Sequence, residues 1–291
     1  GGAARRTPFT AAFLAAYIRF MTTRDSHPDV YVATAHRMFF ANFVGGEGGE
    51  PTRDPFGCAD NDGHNTDSVD GLINVGVVSL NQLLVEAAEV QRGSSQGQRG
   101  SSHAAAEDAA LVGPLLHDCV NVVRRSSVLP EVGLQYHRLL RKLVLDGTPL
   151  RPAIEELVDE FSGALPLTRQ KLESFAASRG DHGASDPMSA CYVGSNWPVT
   201  LLLAYKYNSS LEEALLAGAN AGGENTNRNA LLGTILGAAL GGSPEGWREV
   251  EKWREGLRAV DELEGEIDTF VEEVLHSSPG ATPDGGGSGE L

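Results

Sequence analysis

Cysteine is scarce, with only Cys58, Cys119 and Cys191 in 291 residues. They are widely spaced and hold no C-x-x-C pair, so they build neither a disulfide framework nor a zinc site. A reducing, cytoplasmic compartment is the simpler setting. Basic residues are also in short supply: 23 Lys and Arg stand against 39 Asp and Glu, a formal charge of −16. Nucleic-acid binders usually advertise a basic patch, so nucleic acid and anionic membrane surfaces are not expected as partners. Long apolar runs are missing as well. The stretch from Phe9 to Ile18 behind Arg5-Arg6 is too short to span a bilayer and lacks a clean A-x-A cleavage pattern, and Leu231 to Leu240 is too short in the same way. The chain opens on Gly1 rather than Met, as a fragment or trimmed chain would. No convincing alternating strand run appears, which argues against an α/β fold.

What the chain does have is helical period. Phe13, Leu14, Tyr17, Ile18 and Met21 recur at helical spacing behind Thr7-Pro8, which suit a cap and first turn. Tyr31, Ala35, Met38, Phe39 and Asn42 form a second face, and Val69, Leu72, Ile73, Gly76, Val77, Leu80, Leu83 and Leu84 a third. Leu111, Leu115, Cys119 and Val122 continue the pattern, followed by Tyr136, Leu139, Leu140, Leu143 and Val144, and then Ile154, Leu157, Val158 and Phe161. Further helices are expected to open at Trp197-Pro198, behind the capping-box pattern Ser210-x-x-Glu213, and over Arg228 to Leu240. A long stripe from Val250 to Val274 closes the array, in a segment that also carries much of the acidic excess. The expected fold class is all-α, a single multi-helix domain over residues 1–275. A low-complexity loop interrupts it at 92–103, and a disordered Gly-rich tail follows at 276–291.

Two polar segments are not explained by helix packing. Asp60-Asn61-Asp62-Gly63-His64-Asn65-Thr66-Asp67-Ser68 directly precedes the apolar helix from Val69. As structure it is a loop ending in an N-cap; as function the same helix start is an anion site, and its carboxylates are hard ligands for a divalent cation. It does not reach the register of an EF-hand loop. Gly222-Gly223-Glu224-Asn225-Thr226-Asn227-Arg228-Asn229 joins two helices rich in small residues. Gly222 and Gly223 suit a helix stop, and Asn225 to Asn227 a helix cap. Gly233, Gly237 and Gly241 on the next helix suggest a close approach by another backbone, and a polar loop at the head of so tightly packed a helix would be pre-organised for a metal or phosphate.

From Glu212 to Ala238, through Gly222-Gly223-Glu224-Asn225-Thr226-Asn227-Arg228-Asn229, the sequence resembles the C-terminal signature of the ADP-ribosylglycohydrolase family, G-G-D-x-D-T or G-G-D-N-x-x-R-G followed by a small-residue helix. Ala190 to Val193, Trp197-Pro198 and Ala204-Tyr205-Lys206-Tyr207 are similar to its penultimate block. Phe20 to Thr23, His36 to Asn42 and the Asp60–Asp67 segment resemble an uncommon branch, so the likeness spans roughly Phe9 to Gly241. The resemblance implies an all-α fold of that type and two Mg²⁺ or Mn²⁺ ions in a central cleft. It also implies hydrolysis of the glycosidic bond between ADP-ribose and a protein side chain or small molecule. Hard cations would bind the ribose hydroxyls and activate water, while helix N-termini meet the diphosphate. Carried onto this chain, it puts forward Asp62 and Glu224 as catalytic. His64, Asn65, Gly222, Gly223, Asn225 and Arg228 would lie at the substrate, and Asp60, Asp67, Glu224, Thr226 and Asn227 would be metal donors. Three positions depart from the pattern: Glu224 stands at the first aspartate, Thr226 at the second and Asn227 at the threonine. With a carboxylate missing, a full dinuclear centre is not expected. A catalytically silent relative that binds a nucleotide or sugar ligand, or is structural, is the alternative.

Among other residues, His36, His117 and His137 read as packing residues, Ser195 as a helix start, Cys191 as buried and inert, and Arg124-Arg125 as a solvated helix face.

Overall fold

The stripe Tyr136, Leu139, Leu140 and Leu143 winds into the helix at the centre of the molecule. In the computed structural model that helix, α5 (Val128–Val144), has five other buried positions as well, among them Leu129, Val132 and Gly133. Each large apolar side chain there contributes roughly 1.5–3 kcal/mol by leaving water. The structure describes residues 2–26, 32–45, 54–60, 66–91, 101–178, 186–187 and 189–277, though not the side chains of 89–91, 101–109 and 276–277.

Around α5 pack α3 (Gly71–Gln91), α4 (Ser101–Asn121), α6 (Leu150–Glu160), α8 (Val193–Lys206) and α10 (Asn225–Leu240). Outside them lie α7 (Arg169–Ala177) against α8, α9 (Leu211–Asn220) against α10, and α11 (Pro244–Glu255) and α12 (Val260–Ser277), the last against α3. Trp197 fixes α8 to α5 from inside: its indole N–H donates to Gln135 at 2.8 Å and its ring meets Tyr136 edge-on. A smaller core joins α1 (Pro8–Thr22) and α2 (Thr34–Phe43) to the end of α4 through Leu14, Phe39, Cys58, Val122 and Val123. Among the described residues there is no strand, only three isolated bridges. The all-α expectation is therefore what the structure shows.

Local details follow the sequence unevenly. Thr7 caps α1 with Pro8 in its first turn, and Ser210 caps α9 by accepting from Glu213 N. Trp197-Pro198 does not open α8, which begins four residues earlier at Val193 and carries Pro198 within it. Pro198 is the sixth residue of the helix, so the Gly194 carbonyl goes without the amide that an i+4 residue would offer it. On α4 the buried face is Val112, Leu116, Cys119 and Val120, while Leu111 is exposed, so the apolar stripe is set one residue along. The stripe from Val250 breaks at residues 256–259, where Ala259 adopts a positive φ, and becomes two helices. Arg124 is not solvated: its guanidinium is buried and grips Asp70 through two hydrogen bonds of 3.0 and 2.7 Å. Cys191 is half-buried rather than buried, whereas burial pushes the Cys119 thiol up to about 12. α4 takes in Ser101 to His103, the end of the expected low-complexity loop, and α12 runs on to Ser277; the rest of the loop and of the tail lies outside the described residues. Among the described residues one helix, α3, is long and apolar enough over Gly71–Ala88 to cross a bilayer by length and composition. It packs against α4, α5, α10 and α12.

Candidate functional site

The end of the Asp60–Ser68 segment is held from behind by α4 and the turn after it. Ser126 Oγ donates to Asp67 Oδ1 at 2.6 Å, and Ser126 is itself fixed by Asn121 Oδ1 on its backbone N–H at 2.9 Å. Next along the chain, Ser68 Oγ receives Arg124 Nη1 at 3.1 Å, and Asp70 takes the rest of that guanidinium. Burial works against the charged form of Asp70, but Arg124 and the Ser68 hydroxyl outweigh it and hold the carboxyl below its usual range.

The Glu224 loop is held differently. Gly222 and Gly223 both take positive φ, +73° and +67°, which glycine adopts without a Cβ penalty, and they turn the chain from α9 into α10. The cap of α10 is Glu224 itself, not Asn225 to Asn227 as the sequence suggested. Its Oε1 accepts from Asn227 N at 3.3 Å and from Asn227 Nδ2 at 3.0 Å. Asn225 and Thr226 are already in the first turn. A carboxylate on these N–H groups is favoured by the helix dipole, and it opposes a phosphate at the same place. Arg228, expected at the substrate, lies in the interior. Its side chain is fully buried, and Nη2 donates to the carbonyls of Gly218 and Gly222, both at 2.6 Å, clamping the end of α9 to the start of α10. Nε and Nη1 have no partner among the described residues, and burial lowers the guanidinium pKa while Glu224 works the other way.

A backbone strap brings the two loops side by side. Cys191 O accepts from Val69 N at 2.7 Å, Val193 N donates to Asp67 O at 2.8 Å, and Ser68 pairs with Tyr192. Three residues back, Ser189 pairs with Gly223 and its carbonyl accepts from Glu224 N at 3.0 Å. Both loops thus border one short segment, Ser189 to Val193. At about 3.3 Å per residue and about 4.8 Å per rung, their backbones lie within roughly 20 Å of each other. Sequence reasoning missed this strap because its contribution is backbone hydrogen bonding, which leaves no side-chain signature.

The other expected residues fall as follows. Asp60 ends the short turn after the 3₁₀ helix Pro55–Gly57, with an exposed side chain and its carbonyl bonded to Asn42 Nδ2 at 2.7 Å. Asp62, His64 and Asn65 lie outside the described residues. Thr226 and Gly223 are exposed at the Glu224 turn, while Gly222, Asn225 and Asn227 are half-buried. The glycine stripe of α10 does not bring another backbone close, because a Cβ built on Gly233 or Gly237 would meet nothing within 4 Å.

The resemblance implies a Mg²⁺ or Mn²⁺ pair, which would need several clustered carboxylates. Among the described residues no three side chains of His, Cys, Asp and Glu come together as a metal would need. Asp67 and Glu224 each already have one oxygen committed to a protein donor, and Thr226 brings no charge. The described residues do not fit a two-ion centre.

Among the described residues the fold is all-helical, with polar loops at helix starts. This chain belongs to the ADP-ribosylglycohydrolase family, whose sequence pattern matches residues 2–281. No curated protein and no solved structure matched it significantly. Membership carries, in general terms, an ADP-ribosylglycohydrolase-like function, ADP-ribosylated substrates and dependence on divalent metal.

Proposed function

We propose that this protein hydrolyses the glycosidic bond joining ADP-ribose to a protein side chain or small molecule, with the Asp67 and Glu224 loops contributing the site. The observation that supports this reading is the strap, whose backbone bonds to both loops and so keeps Asp67 and Glu224 on one side of the molecule, their backbones within roughly 20 Å. Asn227 orients Glu224 through Oε1 and Ser126 orients Asp67 through Oδ1, leaving one oxygen of each for the sugar or a water. A carboxylate so placed stabilises positive charge developing at the anomeric carbon and accepts a proton from attacking water. Asn225 and Thr226 at the Glu224 turn stay candidates for the substrate in this reading, and Asp62, His64 and Asn65 stay candidates by the resemblance alone. The proposed step uses the Asp67 and Glu224 carboxylates and a water.

The second reading, a silent relative that binds the same ligand, is favoured by the capping role of Glu224 and by Thr226 at the second aspartate position. Calorimetry with Mg²⁺ and then ADP-ribose, alongside release of ADP-ribose from a modified protein, separates the two. Turnover supports the hydrolase, binding without turnover supports the silent relative, and no heat with either ligand together with no release overturns both.

A further inference from the structure

The strap is pinned at its far end by a group that the proposed chemistry does not use. Asp186 and Lys206 are both nearly buried; Lys206 Nζ donates to Asp186 Oδ1 at 2.7 Å, and Tyr207 Oη donates to Oδ2, also at 2.7 Å. The ammonium also sits over the rings of Phe175, at 4.7 Å, and Tyr207, at 5.1 Å. A lysine at the C-terminal end of a helix is additionally favoured by the helix dipole.

The placement matters because of where the two ends lie. The strap runs into α8 at Val193, while Asp186 is fixed to residues 206 and 207 at the opposite end of that helix. Asp186 is thus anchored three residues before Ser189, where the strap meets Gly223. An anchor so near that pairing limits sliding of the strap, and its register decides which strap carbonyl meets Val69 N and which meets Glu224 N.

We propose that Asp186, latched by Lys206 and Tyr207, is a positioning residue that sets the separation of the Asp67 and Glu224 loops. Its consequence for ligand rests on the function proposed above; its consequence for the strap does not. Cutting the latch frees one end, and the pairings at Ser189 and Tyr192 then open more often without loss of the helical core.

Replacing both partners by near-isosteric neutral groups, Asp186→Asn with Lys206→Met, avoids leaving a buried charge alone and keeps the chain folded. Amide exchange in the ligand-free protein is expected to quicken about tenfold at Val69, Val193 and Glu224, with α5 unchanged. ADP-ribose affinity, measured well below the unfolding temperature, is expected to fall about tenfold. Lys206→Arg, which keeps charge and ring stacking, is expected to retain protection and affinity. Unchanged exchange at the three amides, or a rise spread equally through α5, overturns the latch. Quickened exchange at those amides in a protein whose wild type does not bind ADP-ribose supports the latch and refutes the function.

Discussion

At the scale of single residues, Glu224 carries two duties that one substitution separates. Glu224→Gln keeps an oxygen for Asn227 N and Nδ2, so the cap of α10 survives and unfolding free energy should move by less than about 0.5 kcal/mol. If Glu224 acts on the substrate, release of ADP-ribose should fall by about 100-fold or more in the same variant. Parallel urea titrations and turnover assays check both, and retained turnover would remove Glu224 from the chemistry. Arg228 is the opposite case. Arg228→Met leaves the carbonyls of Gly218 and Gly222 without their donor and should cost roughly 2–3 kcal/mol in urea unfolding. Nothing in the sequence distinguished this arginine from one facing a diphosphate, because a guanidinium suits carbonyls and phosphates alike. Its neighbour Gly218 is constrained as tightly. A Cβ there would overlap Asn229 Oδ1 and crowd Leu232, so Gly218→Ala should lower stability by about 1–3 kcal/mol by displacing Asn229 from Leu215 O.

At the scale of elements, helix starts are supported from outside as well as from within. Ser210 caps α9 by accepting Glu213 N, and Glu249 of α11 reaches the same place, accepting from Ser210 Oγ at 2.7 Å and Glu212 N at 2.9 Å. Burial opposes the charge on Glu249, but these donors outweigh it and hold the carboxyl below its usual range. Glu249→Ala should therefore cost about 1–2 kcal/mol, and limited proteolysis should cut sooner in α11, whose Trp247 and Trp253 are already partly exposed. The Ser210 cap was legible from four residues of sequence, since Ser-x-x-Glu has a local mechanism. The partner on α11 was not, because it is 39 positions away. The same contrast explains the apolar stripe of α4: helical period predicts a buried face, but which of two adjacent registers turns inward depends on α3 and α5. It also explains the glycine stripe of α10, where small residues permit a close approach that no neighbour makes.

At the scale of the whole molecule, buried titratable groups set how the fold meets acid. His137 is buried on α5, and burial, with Arg141 and Arg138 nearby, lowers its pKa to about 4. An unfolded imidazole takes its proton near pH 6.5, so as pH falls the unfolded chain binds it first. Stability is full above about pH 6.5 and erodes toward pH 4, by about 2 kcal/mol between pH 7.5 and pH 5. Asp70 and Asp118, held below the usual carboxylate range by Arg124 and Arg5 despite burial, withdraw their share at still lower pH. Urea midpoints at the two pH values measure the first loss, and His137→Leu should flatten it. The all-helical class, most helix positions and the polar character of two loops were readable from the sequence alone, since periodicity, caps and composition act over a few residues. Tertiary structure alone decided that Glu224 caps its helix, that Arg228 is a buried clamp, and that the Asp67 and Glu224 loops share one strap latched at Asp186. The strap rests on backbone hydrogen bonds between residues 35 to 126 positions apart, and the cap, clamp and latch on which of several nearby acceptors or donors each side chain meets; such partners are chosen by packing geometry rather than by local pattern.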